Sequence, residues 1–359
     1  MTIQENVTLA PLTSFGVGGK ARFFVEAQSN EEAAEALAFA RERALPVFVL
    51  GGGSNIVVAD GGFDGLVLAP RMADVAFEEK DGRMLVTAGS GFVWDELVAQ
   101  TVERGLIGLE CLSGIPGTVG GAVVANLGAY GAQASDTFVS AEVLARGAAE
   151  DAPRVFKKEE CDFSYHDSMF GRESGRHLIL RATFSLATAG TSRLSYRDNR
   201  FDLSALAAEQ GNEPTPSDVR AAILNMRREK GMLPGLYQSA GSFFHMPFVS
   251  AEKYAQITAQ ARALDAAKEE SLRPWAWEQP DGRYKIAGGF LLEYTEFAKG
   301  YVRGGAGISP KHTLSIINAG GASAFALAEL ARDMQSAVEK LFGVLLEREV
   351  EYVGDVERA

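Results

Sequence analysis

The chain has 359 residues, 47% hydrophobic and 23% charged, the balance of a globular protein long enough for two or three domains. A net charge of -12 excludes a basic nucleic-acid-binding face, and no apolar run approaches the ~20 residues that span a bilayer. Residues 1–16 lack the basic and apolar regions of a signal peptide, and Cys111 and Cys161 make no disulfide framework, so a cytoplasmic protein is expected.

In chain order, residues 12–27 predict a glycine turn and a short strand. Residues 30–43 predict a helix with Asn30 as N-cap, Glu31 and Glu32 in the first turn, and Ala34, Leu37, Ala38 and Arg41 at helical spacing. An apolar strand at 46–50 runs into Gly51-Gly52-Gly53-Ser54-Asn55, and strands at 56–59 and 65–69 follow. A dinucleotide fingerprint needs a helix start after its glycines, and here a strand follows them. Successive backbone N–H groups could still cradle an anion. A hairpin turn is the other reading, although three glycines exceed what one needs. Next come a strand at 84–89 and a helix at 93–104, with Val93, Leu97, Val98 and Val102 on one face and Gly105 ending it.

Residues 114–131, GIPGTVGGAVVANLGAYG, hold six glycines and no charged side chain. Such a stretch is either backbone wrapped against a flat or phosphorylated ligand or a tight buried crossover. Strands are predicted near 138–145 and at 178–186, with a charged strand-loop region at 151–160 between them. A helix at 217–230, capped by Ser217, ends in Arg227, Arg228 and Lys230. SAGSFFHMP at 239–247, a helix near 250–264, a Trp-containing loop at 275–283, KIAGGFLLEY at 285–294 and a loop, strand and turn over 304–322 follow. A long helix at about 323–341 and a strand in VLLEREVEYVG close the chain. The four histidines, His166, His177, His245 and His312, have no zinc-type spacing, so no metal is expected. The order of elements predicts an α+β fold.

Eight motifs spread over the chain resemble those of the UDP-N-acetylenolpyruvoylglucosamine reductase family of cell-wall (peptidoglycan) synthesis. They are TSFGVGG at 13–19, LGGGSNIVV at 50–58, GLECLSGIPGTVGGAVVANLGAYG at 108–131, YHDSMF at 165–170, LSYRD at 194–198, MRREK at 226–230, SAGSFF at 239–244 and LEREV at 346–350. The segment with Tyr196 resembles the longer of the family's two forms. The resemblance implies a vanillyl-alcohol-oxidase-type FAD-binding domain in two parts, residues 1–70 and 71–230, with the C-terminal strand 344–354 returning to the second. A substrate-covering α+β domain at 231–343 completes the scheme. It also implies a reaction: hydride passes from NADPH to FAD and then to C3 of the enolpyruvyl ether, and the enol is protonated at C2 to give the lactyl ether.

The resemblance carries residue roles with it. Gly51, Gly52, Gly53, Ser54 and Asn55 on one loop, and Gly114, Ile115, Pro116, Gly117, Thr118, Gly120, Gly121, Asn126, Gly128, Ala129 and Tyr130 on the other, would hold FAD. Ser242 matches the proton donor; from the residues alone it is a serine in a glycine turn. Glu349 matches the glutamate that stabilises or protonates the enol, but on a strand Glu347 and Glu351 would share its face. Tyr196 and Lys230 would hold the substrate diphosphate, with Arg227 one turn earlier; a solvated basic helix end is the alternative.

The departures fall on the substrate side. His166, beside Tyr165, stands where an arginine would fork onto the substrate carboxylate, and is expected to act as a charged donor. His245-Met246 replaces the Lys-Asn of FFKNP, Tyr294 a glutamine, and Glu351 an arginine. Trp277 takes the place of a channel tyrosine and would stack on uracil. Three functions remain open here: the ordinary reductase with a variant pocket, a related reductase of another enolpyruvyl or enol-ether substrate, and an idle FAD-binding protein. The partner implied is a small sugar nucleotide, with no nucleic acid or membrane, and the protein is expected to be a monomer.

Overall fold

Four strands open the fold in the order Gln4–Thr8, Lys20–Ala27, Phe63–Pro70, Val47–Val49, the first pair antiparallel and the others parallel. The helix Asn30–Glu42 packs Ala33, Ala36, Leu37 and Ala40 against this sheet. The computed structural model describes residues 1–145, 153–196, 202–206, 213–272 and 275–358. Residues 151–152 of the expected strand-loop region, and Arg197 and Asp198 of LSYRD, lie outside them.

An antiparallel sheet of five strands follows, in the order Arg154–Lys157, Phe138–Ala145, His177–Ala187, Arg83–Gly89, Val75–Lys80. Its core is built on Trp94 and Phe184, whose rings meet edge to face at 5.8 Å. The strand Val75–Lys80 was not foreseen, although Asp81-Gly82 after it carries the hairpin signal, both residues at positive φ.

The C-terminal part has one sheet ordered Gln238–Ser239, Ile316–Asn318, Ala306–Ile308, Val302–Arg303 and a second ordered Phe248–Val249, Tyr284–Ile286, Ala276–Glu278. The expected Trp-containing loop is therefore the strand Ala276–Glu278 in a hairpin whose turn contains Pro280-Asp281-Gly282. The helix Ala324–Phe342 buries Leu327, Leu330, Ala331, Met334, Val338 and Phe342 at helical spacing. Each large apolar side chain so buried stabilises by ~1.5–3 kcal/mol. The same core takes in Phe15, Val17, Val57 and Ala59 from the N-terminal part. Asp60 adds a second tie, accepting the N–H groups of Ala324 and Phe325 at 2.9 and 3.1 Å.

Three local expectations are corrected. Ser29, extended at φ -142°, caps the first helix in place of Asn30. Thr215, not Ser217, caps the helix Pro216–Glu229, because Pro216 has its φ preset for the first helical position. Only Glu351–Val353 of the last segment is strand, and it pairs in parallel with Ile56–Val58, in 1–70 rather than 71–230.

Asp95 joins three elements. It lies on the helix Trp94–Glu103, takes two bonds from Arg220 of Pro216–Glu229 at 2.6 and 2.9 Å, and accepts Gly114 N–H at 2.5 Å. Burial disfavours its charge, but Arg220 and the Gly114 amide outweigh that and hold its pKa below the usual value. Asp95→Asn is expected to cost about 1.5–3 kcal/mol at pH 7. A depressed carboxyl contributes stability that is present above its unfolded pKa and fades as pH falls, so the gap between the two proteins should close in acid. Urea midpoints at neutral and acid pH test both statements.

Candidate active site

A cavity of about 1410 Å³ lies between the glycine loops and the C-terminal sheets, larger than one small-molecule pocket requires. One end is walled by backbone. Gly51–Asn55 leaves the strand Val47–Val49 and enters Ile56–Val58, so a strand does follow the glycines. A Cβ on Gly52 would lie 2.6 Å from Gly117 Cα, and one on Gly53, at φ +62°, 1.9 Å from the Leu12 carbonyl oxygen. The two loops therefore cross main chain to main chain, and Ser54 Oγ donates to the Pro116 carbonyl across the crossing.

The stretch 114–131 is not all loop. Thr118 caps a short helix, Val119–Val124, held against Ser90 and Phe92 by Gly120 N–H and Val119 N–H. Glycine is a poor helix former, so this turn of helix depends on tertiary bonds that the sequence pattern does not display. Ile115, Pro116, Gly117, Thr118, Gly120, Gly121, Gly128, Ala129 and Tyr130 line the cavity; Gly114 and Asn126 do not. Asn126 is fully buried, donates to Ser164 O and Gln133 Oε1, and accepts Ser135 N–H, so it locks the loop from behind. Its φ of +39° and the +51° of Tyr130 mark a backbone held in an uncommon shape.

Further along, Lys230 donates to the Tyr196 hydroxyl at 2.9 Å and lies about equally far from the Tyr130 and Tyr196 rings, 5.3 and 5.1 Å. All three line the cavity. Arg227 also borders it, but its guanidinium is committed to the carbonyls of Gly114 and Met232. It therefore braces the glycine loop, through its backbone at Gly114 and through the Tyr130 hydroxyl.

At the other end, Ser242, Tyr165, His166, Trp277 and Glu349 line the cavity. Short backbone pairing assembles this cluster. Glu349 N–H donates to Phe243 O at 3.0 Å and His245 N–H to Glu347 O at 2.9 Å. Asn55 Nδ2 donates to Glu349 O at 3.2 Å. Residues 347–350 are not regular strand, so alternation does not group the glutamates: Glu349 and Glu351 border the cavity, and Glu347 does not. Glu351 instead receives Ser174 Oγ.

Tyr294 does not reach the site that the resemblance assigns it. It follows the helix Gly288–Leu292 and packs on Phe290 and Phe342, outside the cavity wall, while the preceding Glu293 faces in. Lys285 was missed. It lines the cavity from the strand Tyr284–Ile286, its ammonium 4.1 Å from the centre of the Tyr165 ring. The signal was a lone lysine beside an apolar run, too weak to single out.

The electrostatics overturn the charged His166. Burial, then the neighbouring His245 and Lys285, push its pKa down to about 4, so the ring is neutral at neutral pH. Glu349, 3.3 Å from His166 Nδ1, is pushed up to about 7 by burial, against the pull of Lys285. Burial likewise raises the Tyr165 phenol and lowers Lys285. The site thus offers a carboxyl that exchanges its proton near neutrality, beside the Lys285 amine.

Residues 21–149 match the sequence model of an FAD binding domain, and residues 234–353 that of the UDP-N-acetylenolpyruvoylglucosamine reductase C-terminal domain. The UDP-N-acetylenolpyruvoylglucosamine reductase of Thermobifida fusca (strain YX) is 39% identical over 98% of this chain and 98% of its own. That of Pseudomonas fluorescens Pf-5 is 40% identical over 97% and 98%. The crystal structure of UDP-N-acetylenolpyruvylglucosamine reductase from Thermus caldophilus superimposes with a TM-score of 0.65 at 25% identity, over 98% of this chain and all of that one. The chain belongs to the UDP-N-acetylenolpyruvoylglucosamine reductase family, with an FAD-binding domain and that family's own C-terminal domain.

Proposed function

We propose that the cavity binds FAD at its glycine-walled end and the enolpyruvyl sugar nucleotide at the Ser242–Glu349 end. The enzyme is an FAD-dependent oxidoreductase that uses NADPH to convert the enolpyruvyl ether of UDP-N-acetylglucosamine into UDP-N-acetylmuramate, a peptidoglycan precursor. The single observation that carries the site reading is the shared cavity, which has bare main chain at one end and a buried carboxyl, a serine and an ammonium at the other. The crossing at Gly52 and Gly117 fits a flavin nucleotide, because a side chain on Gly52 would strike Gly117 and force apart the two backbone walls that would hold the pyrophosphate. Bound there, FAD supplies the hydride transfer from NADPH to the substrate double bond.

The chain's own residues do the rest. Lys285 stands where a fixed cation can meet the substrate carboxylate, the task for which His166 lacks charge. Tyr196 and Lys230 offer a hydroxyl and an ammonium to the diphosphate. Glu349, protonated below about pH 7, donates a hydrogen bond to the enol oxygens, and Ser242 delivers the proton to C2. Trp277 offers a flat face to the uracil ring. The reading divides the chain into residues 1–70, 71–230 and 231–343, and treats the enzyme as a cytoplasmic monomer. Its cysteines are free and buried, and among the described residues no helix is long and apolar enough to cross a membrane.

The purified protein should be yellow, bleach with NADPH, and regain colour on adding the enolpyruvyl substrate. Colour that fails to return sinks the substrate assignment. Ser242→Ala should leave bleaching intact and slow the return of colour by about 10²-fold or more; equal rates in both steps would remove Ser242 from the mechanism. Because Glu349 acts in its protonated form, the colour-return rate should fall as pH rises through about 7. Glu349→Gln, which cannot titrate, should flatten that limb, and a limb that persists assigns it to another group.

A further inference from the structure

We propose that His245 is a positioning residue which, with His166, brackets the Glu349 carboxyl and fixes the direction of its proton. The inference rests on the reading of Glu349 as the residue facing the enol.

One imidazole stands at each carboxyl oxygen. His166 Nδ1 is 3.3 Å from Oε1 and His245 Nδ1 is 3.7 Å from Oε2. The two rings are 5.9 Å apart and come from different parts of the chain. His245 does not line the cavity, so it acts on bound substrate through the groups it stands behind, of which Glu349 is the one its Nδ1 faces. Its backbone is pinned to the glutamate's own segment by His245 N–H to Glu347 O and by the bridge between Phe244 and Arg348. Its Nδ1 is buried without a hydrogen-bond partner, a costly state that a small inward movement of the carboxyl would relieve. His166 is held at φ +50°, an uncommon backbone for a residue with a side chain.

The charges around the carboxyl explain what the bracket does. Glu349 faces Lys285 and Tyr165 besides the two histidines, and His245 also faces Glu347 and Asp167. The resemblance led us to expect an arginine and a lysine at 166 and 245. Two fixed cations there would keep Glu349 ionised, whereas burial disfavours the charge on both histidines. With neutral rings the carboxyl retains a proton to higher pH, and the ring whose Nδ1 accepts decides which oxygen carries it, the other ring's Nδ1–H facing the second oxygen.

The test compares the FAD-bound protein with His245→Leu and His245→Gln. His245→Leu should bleach with NADPH within about twofold of the parent rate, return colour with substrate about tenfold more slowly, and shift the alkaline limb of that step. His245→Gln keeps a hydrogen-bonding group and should recover most of the rate. Independently, the ¹³C carboxyl signal of Glu349, assigned by its loss in Glu349→Gln, should titrate near pH 7 in the parent and move in His245→Leu. An unmoved carboxyl titration together with an unmoved limb overturns the proposal, as does parallel loss of both steps, which marks a folding role. If the parent itself fails to regain colour with substrate, the functional reading fails, and the carboxyl titration still decides whether His245 positions Glu349.

Discussion

The main chain of Glu349 is gripped from two sides, its N–H by the Phe243 carbonyl and its carbonyl by the Asn55 side chain. Asn55 belongs to the first glycine loop, and Phe243 follows Ser242 in the C-terminal part. One residue thus fixes the first glycine loop, the serine turn and the carboxyl relative to each other. Buried backbone groups must find partners, so this pairing cannot slip without leaving polar atoms unsatisfied. The parallel pair Glu351–Val353 with Ile56–Val58 continues the grip, and Phe15 and Asp60 repeat it elsewhere. The Ser242–Glu349 end of the cavity is therefore built on sheet pairing and core packing, the rigid support a precise geometry requires.

Burial sets the chemistry of that end. Glu349, His166, His245 and Lys285 are each driven toward their neutral forms by loss of water. Lys285 opposes the effect on Glu349, but desolvation is the larger influence. The result is a carboxyl that still holds its proton in a good share of molecules near neutrality, at the cavity wall. At the other end the chain presents main-chain groups, and Arg227 and Asn126 support those loops from behind. The cavity so divides into a part shaped by the absence of side chains and a part tuned by a few of them.

Much of this could be read from the chain. The glycine loops were legible because close approach of backbones leaves few substitutes for glycine, as Gly52 against Gly117 and Gly53 against Leu12 demonstrate. The long helix Ala324–Phe342 and the strand His177–Ala187 were legible because their apolar periods are long. The short helix Val119–Val124 was not, since its six residues are stabilised by Ser90, Phe92 and Thr118 and not by their own propensity. Tyr294 was placed at the site by position after a motif, yet the end of a helix turns it into the core.

The sequence by itself determined the family, the cofactor chemistry and the positions of the two glycine-rich loops, because these reside in local residue patterns. Only the tertiary structure decided that His166 is neutral, that Lys285 reaches the cavity beside Tyr165, that Arg227 is a brace, and that His245 stands behind Glu349. Charge state and the direction of a side chain depend on desolvation and on neighbours distant in the chain, and no local pattern of residues encodes either.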